Sequence, residues 1–152
     1  VSIGLSAIMN AVTSHAAASG HFDRVGSHEP KNAPGKGLSA AVWVDRIEPI
    51  PRVSGLATSG ALVVLNVRVY TNMLADPPDS IDPNLVAAVD ALIGAYSGDF
   101  ELGGNVRNVD LLGSYSSGLG AQAGYLEQDG KLFRVMTISV PLVINDAWGQ
   151  AA

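Results

Sequence analysis

The stretch from Ala61 to Tyr70 constrains this chain more than any other. Ala61, Val63, Leu65, Val67 and Val69 alternate with Leu62, Val64, Asn66, Arg68 and Tyr70. Side chains of a strand point to opposite faces in turn, so the first set makes one wholly apolar face. The other face turns polar toward its end. β-Branched residues favour the extended state, and an apolar strand face has to be laid against another layer. Leu38 to Ile50 reads as a second strand around Val42, Trp43 and Val44, closed by Pro49 and Pro51, which cannot donate to a ladder. With Arg52 to Ser59 as a Gly/Ser-bearing turn region, the two strands form a long antiparallel hairpin.

Two segments carry helical periodicity. In Ser2 to Ser19, Leu5, Ile8, Met9, Val12 and Ala16 fall on one face, and Gly20 is a stop. The second helix opens at Asp82-Pro83. Asp82 suits the cap, and the missing N–H of Pro83 costs nothing in the first turn. Leu85, Val86, Val89, Leu92, Ile93 and Tyr96 make its stripe, and Gly98 ends it.

The last third returns to strands. Asn105 to Leu112 reads as one, followed by a Gly/Ser run from Gly113 to Gly120. Ala121 to Gln128 and Lys131 to Val140 flank Asp129-Gly130, the pair that supplies the positive φ angles of a type I′ hairpin turn. Pro141 predicts that the last strand ends there or lies at an edge. The expectation is one α+β domain over 1–152, a mainly antiparallel sheet with two helices packed on one face, in the order α-β-β-α-β-β-β. Long loops are expected near 21–37 and 51–60, and a mobile tail over 145–152 with no pattern beyond Trp148.

Composition narrows the function classes. Of the 152 residues, 47% are hydrophobic and 15% charged, so a compact fold is expected, with apolar or neutral surface left over for contacts between copies. The net charge of −5 argues against a general nucleic-acid binder, which needs a basic footprint. With no cysteine, disulfides, thiolate nucleophiles and zinc–thiolate sites are excluded. No apolar run approaches the roughly 20 residues of a spanning helix. The N-terminal residues do not read as a signal peptide.

No catalytic constellation stands out. His15, His21 and His28 lack metal-type spacing, and no GxSxG elbow surrounds any serine. Asp90 belongs to the polar side of the second helix. Asp110, between Val109 and Leu111, calls for a partner because a buried lone carboxylate is costly, and Arg107 or an arginine on a neighbouring strand is the expected one. Asp99 and Glu101 do not suggest the two differing environments that acid–base work needs. Gly35-Lys36-Gly37 and Gly103-Gly104 precede strands rather than helices, so neither is a phosphate cradle. No catalytic residue, cofactor or metal site is expected.

Several stretches together resemble a known family. They are Phe22-Asp23-Arg24-Val25 with His28-Glu29-Pro30-Lys31, then Ala33-Pro34-Gly35 leading into Ala41-Val42-Trp43-Val44. Val67-Arg68-Val69-Tyr70-Thr71-Asn72-Met73 follows, with Asp82-Pro83 opening a helix that ends Ala95-Tyr96-Ser97-Gly98-Asp99-Phe100. Val106-Arg107-Asn108-Val109-Asp110 and Asp129-Gly130-Lys131-Leu132-Phe133-Arg134 complete the set. In their order and sizes these segments resemble tail terminator proteins of siphovirus-type phages that infect actinobacteria, over nearly the whole chain.

The resemblance implies a small domain with helices on a mainly antiparallel sheet. It implies a homo-oligomeric ring, commonly a hexamer, seated at the head-proximal end of the virion tail. Such a ring stops growth of the tail-tube protein and presents a surface to head-completion or stopper proteins, while DNA passes through the lumen without specific binding. No membrane is involved. A ring needs two complementary patches per subunit. Arg24, His28, Lys31 and Lys36 on the loop Arg24–Gly37 are the candidates to meet acids such as Asp76 or Asp79 of a neighbour, with the Pro51–Gly60 tip as a further contact. Trp148 is a candidate anchor, against its own fold or a neighbour. The alternatives are another phage connector, such as a tail-tube subunit or head–tail stopper, and a small-molecule binding module or enzyme with a cryptic site.

Overall fold

The structure, a computed structural model, describes residues 4–22, 24–26, 38–51, 57–72, 81–115, 118–128 and 130–149. Its elements run α1 (Leu5–Ala18), β1 (Arg24–Gly26), β2 (Leu38–Ile50), β3 (Thr58–Asn72), α2 (Ile81–Gly98), β4 (Asn108–Val109), β5 (Gly120–Gln128) and β6 (Lys131–Gly149). The fold is α+β, and its principal elements follow the expected order α-β-β-α-β-β-β. The addition is β1, three residues inside the expected loop 21–37, which pairs parallel with Ser39–Ala41 of β2. Residues 23, 27–37 and 52–56 of the expected loops, and residues 73–80, lie outside the described residues.

The sheet runs β1-β2-β3-β6-β4, with β5 also paired to β6. β2 and β3 form the expected antiparallel hairpin, and β3 lies antiparallel to β6 along nearly its whole length. β3 therefore has a strand on each side, and both its faces are largely buried. On one face Ala61, Val63, Leu65, Val67 and Val69 are fully buried under the two helices. Ile8, Val12 and Ala16 from α1 and Leu85, Ala88, Val89, Leu92 and Tyr96 from α2 complete this core, with Ile138, Val140 and Leu142 of β6 beneath. Each fully buried aliphatic side chain contributes about 1.5–3 kcal/mol of transfer free energy, so this layer dominates the stabilising side.

Both helices end near where their sequences end them. α1 stops at Ala18, where the Ser19 hydroxyl donates to the Ala16 carbonyl at 2.7 Å. α2 begins one residue ahead of Asp82, which leaves Pro83 in the first turn, and stops at Gly98. Val86, expected in the α2 stripe, is 53% exposed: it sits between the buried positions Leu85 and Val89, rotated off the sheet.

Three expectations of the last third are corrected. The strand expected over Asn105–Leu112 is reduced to Asn108–Val109 because the chain turns through 99–107 and again after Val109. β6 does not stop at Pro141; it continues to Gly149, so the patternless tail is strand through that residue. Pro141 is tolerated because β5 pairs β6 only as far as Ser139 and β4 takes over at Leu142, leaving Pro141 between two partners. The extension pairs with the start of β3, Ser59 against Trp148 and Thr58 against Gly149. A bulge accommodates the mismatch, with Asp146 at φ 52° and its carboxylate accepting the Thr58 hydroxyl at 2.6 Å. The hairpin at 129–130 stands as expected, with Gln128 paired to Lys131 and Gly130 at φ 73°; Asp129 lies outside the described residues.

Candidate functional site

The helices cover one face of the sheet, and the surface of interest is the other. Alternation places Arg46, Glu48 and Ile50 of β2, Leu62 to Tyr70 in alternate positions of β3, and Phe133, Val135, Thr137 and Ser139 of β6 on it. Gln122, Gly124 and Leu126 extend it onto β5. Two apolar clusters lie here: Ala41, Tyr70, Phe133 and Val135 toward one end, and Ile50, Leu62, Val64 and Val143 toward the other. Tyr70 and Phe133 meet edge-to-face at 6.5 Å.

Between the clusters runs a polar band in which Asn66 pairs with Ser139 and Arg68 with Thr137. Arg68 is half-buried. Its Nε donates to Thr137 Oγ1 at 2.9 Å, and its Cζ lies 5.2 Å from the Trp43 ring centroid. That arrangement orients the guanidinium, yet among the described residues its terminal nitrogens have no hydrogen-bond partner and no carboxylate within ion-pair range. A cleft of about 420 Å³ opens beside it, lined by Arg68, Thr137 and Val135 and by Gln122 to Leu126 of β5. Trp43, although mid-strand, is only half-buried, because it lies on the face without helices.

A second cleft, of about 300 Å³, lies at the far end of β2. Glu48, Pro49, Ile50 and Pro51 line it, with Tyr115 opposite. Glu48 is exposed and 3.8 Å from Arg46, a surface pair worth little on its own. The two clefts adjoin opposite edges of the sheet. Beyond Ala41, β2 pairs with no described strand on its outer side, and β5 pairs with none on its outer side.

The titratable groups inside the fold hold structure together. His15 Nε2 lies 2.9 Å from Asp99 Oδ2, joining α1 to the residue after α2. The bond from His15, then the Gly103 amide, holds the Asp99 carboxyl below the usual carboxylate range. The buried Tyr96 hydroxyl donates to the Val12 carbonyl at 3.1 Å, and burial pushes its phenol up. Asp110, expected to meet an arginine, has two oxygens that accept the backbone N–H groups of Ser114 at 2.7 Å and Tyr115 at 2.8 Å. Among the described residues no group of three or more His, Asp or Glu side chains could hold a metal, and no helix is long and apolar enough to cross a membrane.

Of the expected contact residues, Arg24 is exposed on β1 beside Ser39. Trp148 is half-buried and packs against the molecule's own main core, next to Ser59. The two therefore stand at opposite ends of the β2–β3 hairpin. His28, Lys31, Lys36, Asp76 and Asp79 lie outside the described residues. Arg68 and Glu48 carry only weak signals in the sequence, the polar end of the β3 alternation and the charges late in β2, and Trp43 carries none beyond its place in a strand.

No family model matches the chain, and no curated protein matches it. A solved structure similar to it is the virion of a native gene transfer agent particle. The aligned chain is 14% identical, covering 91% of this chain and 96% of that one, with a TM-score of 0.42.

Proposed function

We propose that this chain is a structural virion protein that forms a ring on the end of a phage tail tube, ends tube growth and offers a surface for head joining. The observation that carries the reading is a sheet that, among the described residues, has an open edge on each side, β2 and β5, and a face that no described helix covers. Open edges carry unpaired backbone N–H and C=O groups, the ordinary template for contact with another chain. Two different edges on one subunit support head-to-tail contacts, which close into a ring when the rotation closes. The sequence resemblance to tail terminators points the same way. His15, Asp99, Tyr96 and Asp110 are engaged in inter-helix and turn bonds, in keeping with a structural role.

In this reading the partners are further copies of the chain, the tail-tube protein and a head-completion or stopper protein, with DNA passing through the lumen. The basic loop with Arg24, His28, Lys31 and Lys36, and the acids Asp76 and Asp79, are proposed as further contacts to neighbours or tube. A tail-tube subunit or head–tail stopper is the second reading, since it also uses a sheet-bearing ring.

Measurement of solution mass, followed by negative-stain imaging with the tail-tube protein of the same phage, decides between these. The expected result is a ring of defined copy number at one end of tubes that stop lengthening. Long polymers of the chain alone would reassign it as a tube subunit. A monomer that leaves tubes unchanged would overturn the reading.

A further inference from the structure

We propose that the outer edge of β2 in one copy adds antiparallel to the outer edge of β5 in the next, and that Glu48 is the carboxylate the Arg68 cleft receives. This rests on the ring reading and specifies which surfaces meet. The argument begins with strand direction. β2 is antiparallel to β3, β3 to β6, and β6 to β5, so β2 and β5 run in opposite directions at the two sides of the sheet. Copies related by a rotation that continues the sheet therefore bring β2 against β5 as an antiparallel pair, the geometry with directly opposed hydrogen bonds.

The two edges are also chemically unlike. Gly120 to Leu126 of β5 carries no charge and no proline before Glu127. Nothing on it resists strand addition in the way charged or proline-bearing edges do. β2 is guarded: Asp45, Arg46, Glu48 and Pro49 are all exposed along its open part. Two β2 edges would carry Pro49 on both strands, and proline cannot donate to a ladder. The edge of β5 has no proline from Gly120 to Leu126, so the β2–β5 pairing is preferred over β2–β2.

Charge complementarity selects the side chains. On the helix-free face, Arg68 is the oriented cation whose terminal nitrogens lack partners among the described residues, and its cleft runs out to the free edge of β5. Gly124 leaves the way across β5 open; even an added Cβ there would meet only Val135 Cγ2 at 3.8 Å. Glu48 projects from β2 on the same face, next to the second cleft. Thr137 holds the Arg68 Nε toward β6, and a strand added outside β5 stands two inter-strand spacings from β6, roughly 10 Å, a gap that the guanidinium tip and a glutamate side chain close together.

The chain has no cysteine, which makes cross-linking clean. Ile47 on β2 and Ala121, Ala123 and Tyr125 on β5 are exposed on the helix-bearing face, so they share a face across the proposed junction. Ile47→Cys is combined in turn with Ala121→Cys, Ala123→Cys and Tyr125→Cys to scan register, and the protein is oxidised under conditions where the parent forms rings in solution or on tube ends. The expected result is a ladder of covalent oligomers from one combination and none from the single-cysteine chains. Arg68→Glu is expected to weaken ring association about tenfold or more, with recovery in Arg68→Glu combined with Glu48→Arg. Intact parent rings with no ladder from any combination would overturn this junction and leave the ring reading standing. A dimer from Ala123→Cys alone would overturn it in favour of β5–β5 pairing. Parent protein that never forms rings overturns both.

Discussion

His15 Nε2 and Asp99 Oδ2 stand 2.9 Å apart across 84 residues of chain, joining the last turn of α1 to the end of α2. The His15 ring also meets the Tyr96 ring edge-on at 5.7 Å. The two helices lie on the same sheet face, and this pair fixes one end of their contact. Asp99 has a lowered pKa in the fold, so its contribution is fully present above the unfolded value of about 4 and is lost as pH falls through the lower folded value. Asp99→Asn is expected to lower the thermal midpoint at pH 7, with the difference from the parent closing in strong acid. Thermal melts of both proteins across that range check it, and a gap of constant size would contradict the assignment.

Tyr96 supplies the second tie between the helices. Its hydroxyl is buried and donates to Val12 of α1. Tyr96→Phe keeps the ring and removes the bond, at an expected cost of about 1 kcal/mol in denaturant unfolding. The folded pKa is raised, so this group's stabilisation is fully present below about pH 10 and is lost as pH rises toward the folded value. The alkaline limb of the stability profile should therefore be shallower in Tyr96→Phe than in the parent.

Asp110 is 2% exposed, and its role is to organise the turn that follows β4. Asp110→Ala leaves the amides of Ser114 and Tyr115 without these acceptors, at an expected cost of about 2 kcal/mol. Asp110→Asn keeps one acceptor oxygen and sets an NH₂ group against an N–H, so it should rescue only part of that loss. Urea unfolding midpoints of the two variants give the comparison.

Glycine has opposite meanings at two positions. Gly118 has φ 85°, and a Cβ there would lie 3.0 Å from the Gly113 nitrogen and 3.1 Å from the Leu111 oxygen. Those neighbours are backbone and cannot swing aside, so Gly118→Ala is expected to destabilise by more than about 1 kcal/mol. Gly94 lies inside α2, and a Cβ there meets nothing within 4 Å. Gly94→Ala should stabilise by about 0.5–1 kcal/mol, because alanine loses less backbone freedom on entering a helix. Unfolding free energies of opposite sign are the readout.

Much of the architecture was legible in local pattern. The period-2 alternation of Ala61 to Val69 named the residues that lie buried under the helices, and Leu38–Ile50 was bounded as found. The Asp129-Gly130 pair announced the β5–β6 hairpin. The misses share one cause. Pro141 reads locally as a stop, yet β6 runs through it because β3 holds it on one side while its other partner changes from β5 to β4. Asp110 reads as a buried carboxylate in need of partners, and the amides of Ser114 and Tyr115 that it binds are placed by the turn after β4, not by the residues beside it.

From sequence alone came the binary pattern: which residues of each strand share a face, where each helix carries its stripe, and that no thiol chemistry is open to the chain. These follow from the fixed periods of helix and strand, which any local window contains. Tertiary structure decided what stands opposite what. Arg68 beside Thr137 and Trp43, and His15 beside Asp99, bring together residues from separate elements. Such encounters depend on sheet register and helix placement, set by packing across the whole core rather than by neighbours in sequence.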